Sequence, residues 1–318
     1  MEASTSETKA NFSYRSVFIS DLHLGTPQSQ AHVLLPFLQQ IKTEKLYLVG
    51  DIIDGWKLKN KWYWPESHGA ILRQLLDMAN RCEVIYVPGN HDEAVRSFLT
   101  CNSLVTFGQV KVVMETLHRT ADGRNFLVLH GDRCDTTVHL SHTATRFLGD
   151  LFYDIFVNLN ILIKAVRRLF KLPYWSLAAH IHCKSKFAAE VVDRYEHALA
   201  AEARRQGTDG VICGHIHCPR IRNINGVLYV NDGDWVDSCS ALVEDADGNL
   251  EILHWMDHYK EPAESSPARS AERDVSDDVS DTESAVSQQA ALLFDVLSLG
   301  SSPQRGSLLP REKQESPK

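Results

Sequence analysis

Seven residues of this 318-residue chain have the types and settings that do metal chemistry: Asp21, His23, Asp51, Asn90, His130, His215 and His217. Each stands at or just past the C-terminal end of a short apolar run. Ser16-Val17-Phe18-Ile19-Ser20 precedes Asp21, Leu46-Tyr47-Leu48-Val49 precedes Gly50-Asp51, and Val84-Ile85-Tyr86-Val87 precedes Pro88-Gly89-Asn90. Phe126-Leu127-Val128-Leu129 precedes His130-Gly131, and Gly210-Val211-Ile212-Cys213 precedes Gly214-His215. Runs of this kind read as strands buried on both faces, and the C-terminal ends of such strands are where an open sheet collects its ligands. Gly50 lets the backbone turn with no Cβ in the way, which aims the Asp51 carboxylate outward from the strand end.

Carboxylate, imidazole and amide donors together suit Mn²⁺, Fe or Zn²⁺, whereas Ca²⁺ and Mg²⁺ prefer all-oxygen shells. Seven ligands are too many for one tetrahedral ion. They fit two ions that share Asp51, whose two oxygens can serve one each. Such a pair clamps the attacking and leaving oxygens of an in-line phosphoryl displacement, with a hydroxide held between the ions, formed near neutral pH, as nucleophile.

The remaining segments must hold those strand ends at one rim. Over residues 30–42, Val33, Leu34, Phe37, Leu38 and Ile41 fall at helical spacing. They predict a covering helix and a strand-helix-strand opening that puts Asp21 and Asp51 at the same sheet edge. A second amphipathic helix is expected over 69–81. Short alternating runs over 221–255, with turns at Asn225-Gly226 and Asp247-Gly248, predict hairpins that complete a second sheet. Residues 139–172 are rich in large apolar groups, with Lys164, Arg168 and Lys171 on one helical stripe. Together with a more polar helical stretch at 185–206 they are expected to form a helical cap insertion, at about 139–206, beside the site. The 155–172 helix sets that basic stripe against a wide apolar face, which suits acyl chains or an anionic bilayer surface.

Composition sets the bounds. A 43% hydrophobic share is ample for a packed core. Net charge is −8, and the stretch from Glu261 onward holds 11 acidic against 6 basic residues, so the body is close to balanced. That balance argues against a nucleic-acid partner held by a broad basic surface. Seven scattered cysteines without a Cys-x-x-Cys pair predict free thiols in a reducing, cytoplasmic setting. No secretory h-region and no spanning apolar run are evident. The expected organisation is a disordered N-terminus at 1–14, one domain at 15–260, and a disordered, acidic, Ser-rich tail at 261–318.

Asp21-x-His23, Gly50-Asp51-x-x-Asp54, Gly89-Asn90-His91-Asp92, His130-Gly131-Asp132 and Gly214-His215-x-His217 resemble, in order, the five blocks of the calcineurin-like metallophosphoesterase superfamily. The resemblance implies an α/β fold in which a two-sheet β sandwich is flanked by helices. It implies one metal on Asp21, His23, Asp51 and His217, and another on Asp51, Asn90, His130 and His215. His91 matches the histidine that protonates the leaving oxygen or stabilises the transition state, with Asp92 orienting it. Asp54 and Asp132 read as hydrogen-bond acceptors behind the ligands. Block order and the apolar insertion further resemble the UDP-2,3-diacylglucosamine hydrolases, manganese enzymes that cleave a sugar-nucleotide pyrophosphate and shelter acyl chains under a helical cap. This implies two divalent ions, Mn²⁺ foremost, and a lipid-like nucleotide-sugar substrate met by Asn90, His91, Lys184, Lys186 and His215. It also implies peripheral contact with the inner face of a membrane. One position departs: those pyrophosphatases carry arginine after the block-three asparagine, whereas this chain has His91, the wider superfamily's choice.

Other features read more plainly. His180-Ile181-His182 imitates the last block but lacks the strand and glycine before it, and reads as helix surface. Cys213 and Cys218 flank the His215 pair and read as packing groups, and Trp235 as core. Trp56, Trp62 and Trp64 fit either a platform for an acyl chain or base, or aromatic packing under a loop. Two alternative functions stand beside the first: the same chemistry on a phosphoprotein or soluble nucleotide, and a non-catalytic scaffold. The scaffold is disfavoured because every ligand position and His91 are present.

Overall fold

In the computed structural model, which describes residues 12–99, 104–135 and 186–259, the chain opens with β1 (Phe12–Ile19), α1 (Ala31–Gln40) and β2 (Ile41–Leu48). β1 and β2 pair in parallel from Phe12↔Ile41 to Ile19↔Leu48. Both strands begin earlier than the apolar runs alone suggest: Phe12, Ser13 and Tyr14, expected in a disordered terminus, are paired strand residues. Partner backbone supplies the hydrogen bonds that this polar segment would otherwise seek from water. α2 (Gly55–Asn60) and α3 (Glu66–Ala79) lead to β3 (Glu83–Tyr86), and α4 (Glu93–Leu99) to the hairpin of β4 (Val105–Phe107) and β5 (Val110–Val112). That hairpin was not legible in the sequence, since each strand has only three residues.

β6 (Thr116–Arg119), β7 (Asn125–Val128), the four-residue α5 (Asp132–Asp135), α6 (Lys186–Arg205), β8 (Gly210–Cys213), β9 (Arg220–Ile224) and β10 (Val227–Asn231) follow. β11 (Ser240–Glu244) and β12 (Leu250–His254) close the fold. The strands form a seven-stranded sheet, β12-β11-β1-β2-β3-β5-β4, and a five-stranded sheet, β6-β7-β8-β10-β9. The expected hairpins over 221–255 therefore divide. β9 and β10 complete the second sheet, while β11 and β12 return to the first, β11 lying antiparallel to β1. This gives β1 a neighbour on both sides, which suits its wholly buried Val17-Phe18-Ile19.

Alternation along the strands builds the layers. Phe18, Tyr47, Ile85 and Leu242 of the first sheet meet Phe126, Val128, Ile212 and Val230 of the second in the space between them. Val17, Ile19, Leu46 and Leu48 point the other way, onto Val33, Leu34, Phe37 and Leu38 of α1 and Ile71 and Leu75 of α3, with Trp235 in the same core. Leu127, Val211, Cys213 and Tyr229 face Tyr195, Leu199, Ala200 and Ala203 of α6. From Lys186 on, the segment expected to belong to a cap is thus the flanking layer of the second sheet, because its apolar stripe is spent on that core. The rest of that insertion, including the 155–172 helix and His180-x-His182, lies outside the described residues.

Cys82 and Cys213 are free thiols. Among the described residues no helix is long and apolar enough to cross a membrane.

Candidate metal centre

The ligand-bearing loops leave the C-terminal ends of β1, β2, β3, β7 and β8, and the loops after β1 and β2 are laced together. Asp21 N donates to Gly50 O at 2.9 Å, His23 N to Asp51 O at 3.0 Å and Asp54 N to Leu24 O at 2.8 Å. Asp21, His23, Asp51, His215 and His217 all sit at positive φ, between 44° and 73°. Left-handed backbone costs a residue with a Cβ on the order of 1–3 kcal/mol, and it persists where the surroundings force it, as they do at functional sites. Gly50 is needed for contact as well as for its φ of 90°: a Cβ there would lie 2.1 Å from His130 Nδ1.

Asp51 is the centre of the arrangement. Its Oδ2 lies 3.4 Å from His130 Nε2, 3.9 Å from His23 Nε2 and 3.9 Å from His91 Nε2, while Oδ1 accepts from His91 N at 2.9 Å. On one side, Asp21 Oδ1 is 3.1 Å from His217 Nε2 and 3.8 Å from His23 Nε2. Asp21 Oδ2 accepts from Ser20 Oγ at 2.6 Å and from His215 N at 2.9 Å. Three triads each bring donor atoms within 4.8 Å of one another: Asp21, His23 and His217; His23, Asp51 and His91; Asp51, His130 and His215.

These residues fit a pair of cations. Asn90 Oδ1 and His130 Nε2 are buried with no hydrogen-bond partner. Buried acceptors are seldom left in that condition without another ligand to serve. His130 Nδ1 is 2.8 Å from Val49 O, so it carries a proton and donates, which turns Nε2 toward Asp51 as the nitrogen a cation would take in place of its proton. Burial opposes charge here, yet attraction prevails: the imidazoles around them hold the Asp21 and Asp51 carboxyls well below the usual carboxylate range. In return, Asp51 beside it pushes His130 up to about 10, and Asp21 pushes His217 up to about 9, against the burial that would lower both. The site is one where carboxylates demand positive charge.

The carboxylate that orients His91 is not the expected one. Asp92 instead accepts from Gly89 N at 2.9 Å, Ile53 N at 3.0 Å and Ile52 N at 3.2 Å, tying the third loop to the second. Its neighbourhood of backbone donors leaves it no role at the ring. Asp54 is the carboxylate nearest the ring: its Oδ1 lies 3.0 Å from His91 Nδ1, an ion-pair distance at which no hydrogen bond is formed, and its Oδ2 is hydrogen-bonded to His23 Nδ1 at 3.2 Å. The same Oδ1 accepts from Lys57 N at 2.9 Å, capping α2. Asp132 forms a two-pronged pair with Arg96 at 2.6 and 2.7 Å, and Arg96 also donates to Pro88 O. The sequence reading missed Arg96, Ser20 and Asp234, the last lying 3.8 Å from His217 Nδ1; only Asp234, within Gly233-Asp234-Trp235, carried a signal. Lys184 and the Lys186 side chain lie outside the described residues. Trp64 packs against the main core, whereas Trp56 lies beside His91.

A family model described as calcineurin-like phosphoesterase matches residues 14–219. The chain belongs to that family. This phosphoesterase is 27% identical over 246 residues to a UDP-2,3-diacylglucosamine hydrolase of Neisseria gonorrhoeae, covering 73% of this chain and 95% of the relative. It is 26% identical over 238 residues to the protein of the same name from Shewanella frigidimarina, covering 72% and 92%. Among solved structures it is similar to Vps29 of Entamoeba histolytica, at 13% identity and a TM-score of 0.34 over 75% of this chain and 96% of that one. The metallophosphoesterase family uses divalent metals, and this member is a hydrolase of phosphoester or pyrophosphate bonds.

Proposed function

We propose that the protein is a two-metal phosphohydrolase whose substrate is a lipid-linked pyrophosphate or phosphoester of the UDP-diacylglucosamine type. Asp21, His23, Asp51 and His217 would hold one cation, and Asp51, Asn90, His130 and His215 the other, with Mn²⁺ the leading choice. The observation that carries this reading is Asp51, whose single carboxylate lies within 3.4 to 3.9 Å of imidazole nitrogens from three separate loops. A bound cation pair supplies Lewis-acid charge to the phosphoryl oxygens and acidifies water. The chain's own contribution is positional. The Asp54 carboxylate lies 3.0 Å from His91 Nδ1 and would draw that nitrogen to itself, with Nε2 facing the Asp51 carboxylate, where it can give a proton to a departing oxygen. Val49 O fixes the His130 tautomer, and Asp92 keeps the asparagine loop against the loop after β2.

The relatives' printed names support the lipid-linked substrate; His91, the wider superfamily's choice in the third block, supports keeping a phosphoprotein or soluble nucleotide as the second reading. Contact with an anionic membrane belongs to the same proposal. The test is to assay metal-loaded and chelated protein on UDP-2,3-diacylglucosamine, a phosphopeptide and soluble nucleotides. Metal-dependent release of UMP from the lipid substrate is expected. Turnover of the phosphopeptide equal to that of the lipid would refute the assignment, and metal binding without turnover of any substrate would leave the scaffold.

A further inference from the structure

We propose that Trp56 is a specificity-determining residue that stacks the nucleobase, or another flat group, carried next to the phosphorus under attack. The inference rests on the two-metal reading above and adds to it the part of the substrate that the metals do not touch.

Trp56 follows the cap of α2 by two residues, so its place relative to the ligands is set by a very short tether. Asp54, the cap, touches both His91 and His23, and Gly55 N donates to His91 O at 3.2 Å. Leu58 provides the helix's buried side chain, seated so closely beneath Gly25 that a Cβ there would lie 2.7 Å from it. Trp56 makes no such contribution. It lies in none of the hydrophobic clusters among the described residues, and it is 38% exposed. Indole is among the largest apolar groups a chain has, and leaving a face of it in water forgoes the burial that usually retains it. The ring centroid sits 4.3 Å from that of His91, the residue set to face the reacting phosphoryl group.

The surroundings select the kind of ligand. Lys59 and Asn60, three and four positions on from Trp56 in the same helix, are exposed, and Lys59 lies 3.7 Å from Glu93, so this turn of helix carries polar groups and not the continuous apolar lining that an acyl chain needs. A flat ring on a polar turn of helix, next to the residue set to face the phosphoryl group, suits a flat partner that itself carries phosphate. In a nucleotide only the ribose separates base from phosphate, which matches an indole adjacent to His91. Base stacking on an aromatic side chain tolerates any base, because every base has a π face.

The test uses the full-length, metal-loaded protein with nucleoside 5′-monophosphates and ribose 5-phosphate as probes, in wild type, Trp56→Ala and Trp56→Phe, by calorimetric titration. Wild type should prefer the nucleotide, and Trp56→Ala should cut that preference by about 10- to 100-fold, the scale of one base stack. Trp56→Phe should restore much of it. Metal content and thermal unfolding show that α2 remains folded. A wild type with no preference for the base-bearing probe overturns the proposal, as does an alanine variant that weakens both probes equally. Hydrolysis of UDP-diacylglucosamine is measured separately: its absence, with base preference intact, would sink the substrate reading and leave the Trp56 assignment standing.

Discussion

Asp54→Asn isolates the role of one carboxylate oxygen. In the native site Oδ1 accepts from Lys57 N at 2.9 Å and lies 3.0 Å from His91 Nδ1, while Oδ2 lies 3.2 Å from His23 Nδ1. An asparagine must keep its carbonyl oxygen toward the Lys57 amide, which can only donate. Its NH₂ then faces His23 Nδ1. Two donors cannot share that contact, so the His23 proton moves to Nε2, the atom that lies 3.8 Å from Asp21 and 3.9 Å from Asp51. That nitrogen no longer offers a lone pair. Loss of a partner behind a ligating histidine costs roughly 10- to 100-fold in metal affinity, or about 1.4 to 2.7 kcal/mol. The cap survives in Asn, so the unfolding temperature of the metal-free variant should match wild type. Asp54→Ala should lose about 1 kcal/mol of stability as well, the usual worth of a cap. Metal titration by calorimetry, paired with thermal melts of chelated protein, reads the two effects apart. If Asp54→Asn binds both equivalents of Mn²⁺ as tightly as wild type, the orienting role of Asp54 is refuted.

Three further outcomes follow from the same geometry. A Cβ at residue 89 would lie 2.0 Å from Asp51 Oδ1, so Gly89→Ala should displace that carboxylate, costing about 1–3 kcal/mol of stability and reducing bound metal measured by elemental analysis. His91→Ala should retain its metals and lose roughly 10² in turnover, the scale of a general acid; wild-type rates would remove His91 from the chemistry. His68 Nδ1 accepts from Gly25 N at 2.9 Å, and burial holds it down to about 4 from an ordinary 6.5. The folded protein therefore binds this proton less readily than the unfolded chain, and stability is lost as pH falls from about 6.5 to 4, by up to roughly 3 kcal/mol. Unfolding of wild type and His68→Gln across that range should diverge as the pH drops; parallel curves would assign the acid sensitivity elsewhere.

Much of the site was legible because each ligand sits beside a strong local signal. Asp51 follows Leu46-Tyr47-Leu48-Val49-Gly50, a buried strand and a turn residue in one stretch, and β2, though it begins earlier, ends where the pattern puts its end. The partner of His91 was not legible. Asp92 is its chain neighbour, but the loop turns that carboxylate back onto amides, and Asp54 reaches the ring from another strand end. The β4 and β5 hairpin escaped notice for a related reason: three-residue strands have too little alternation to register.

The sequence by itself determined the strand runs, the order of the five ligand blocks and the kind of chemistry their donors suit, because side-chain type and period-two burial are local properties. Only the tertiary structure decided which carboxylate stands behind which imidazole, that β11 returns to flank β1, and that Asp21, His23, Asp51, His215 and His217 are held in left-handed backbone. Those depend on contacts between segments far apart in the chain, whose geometry no local pattern encodes.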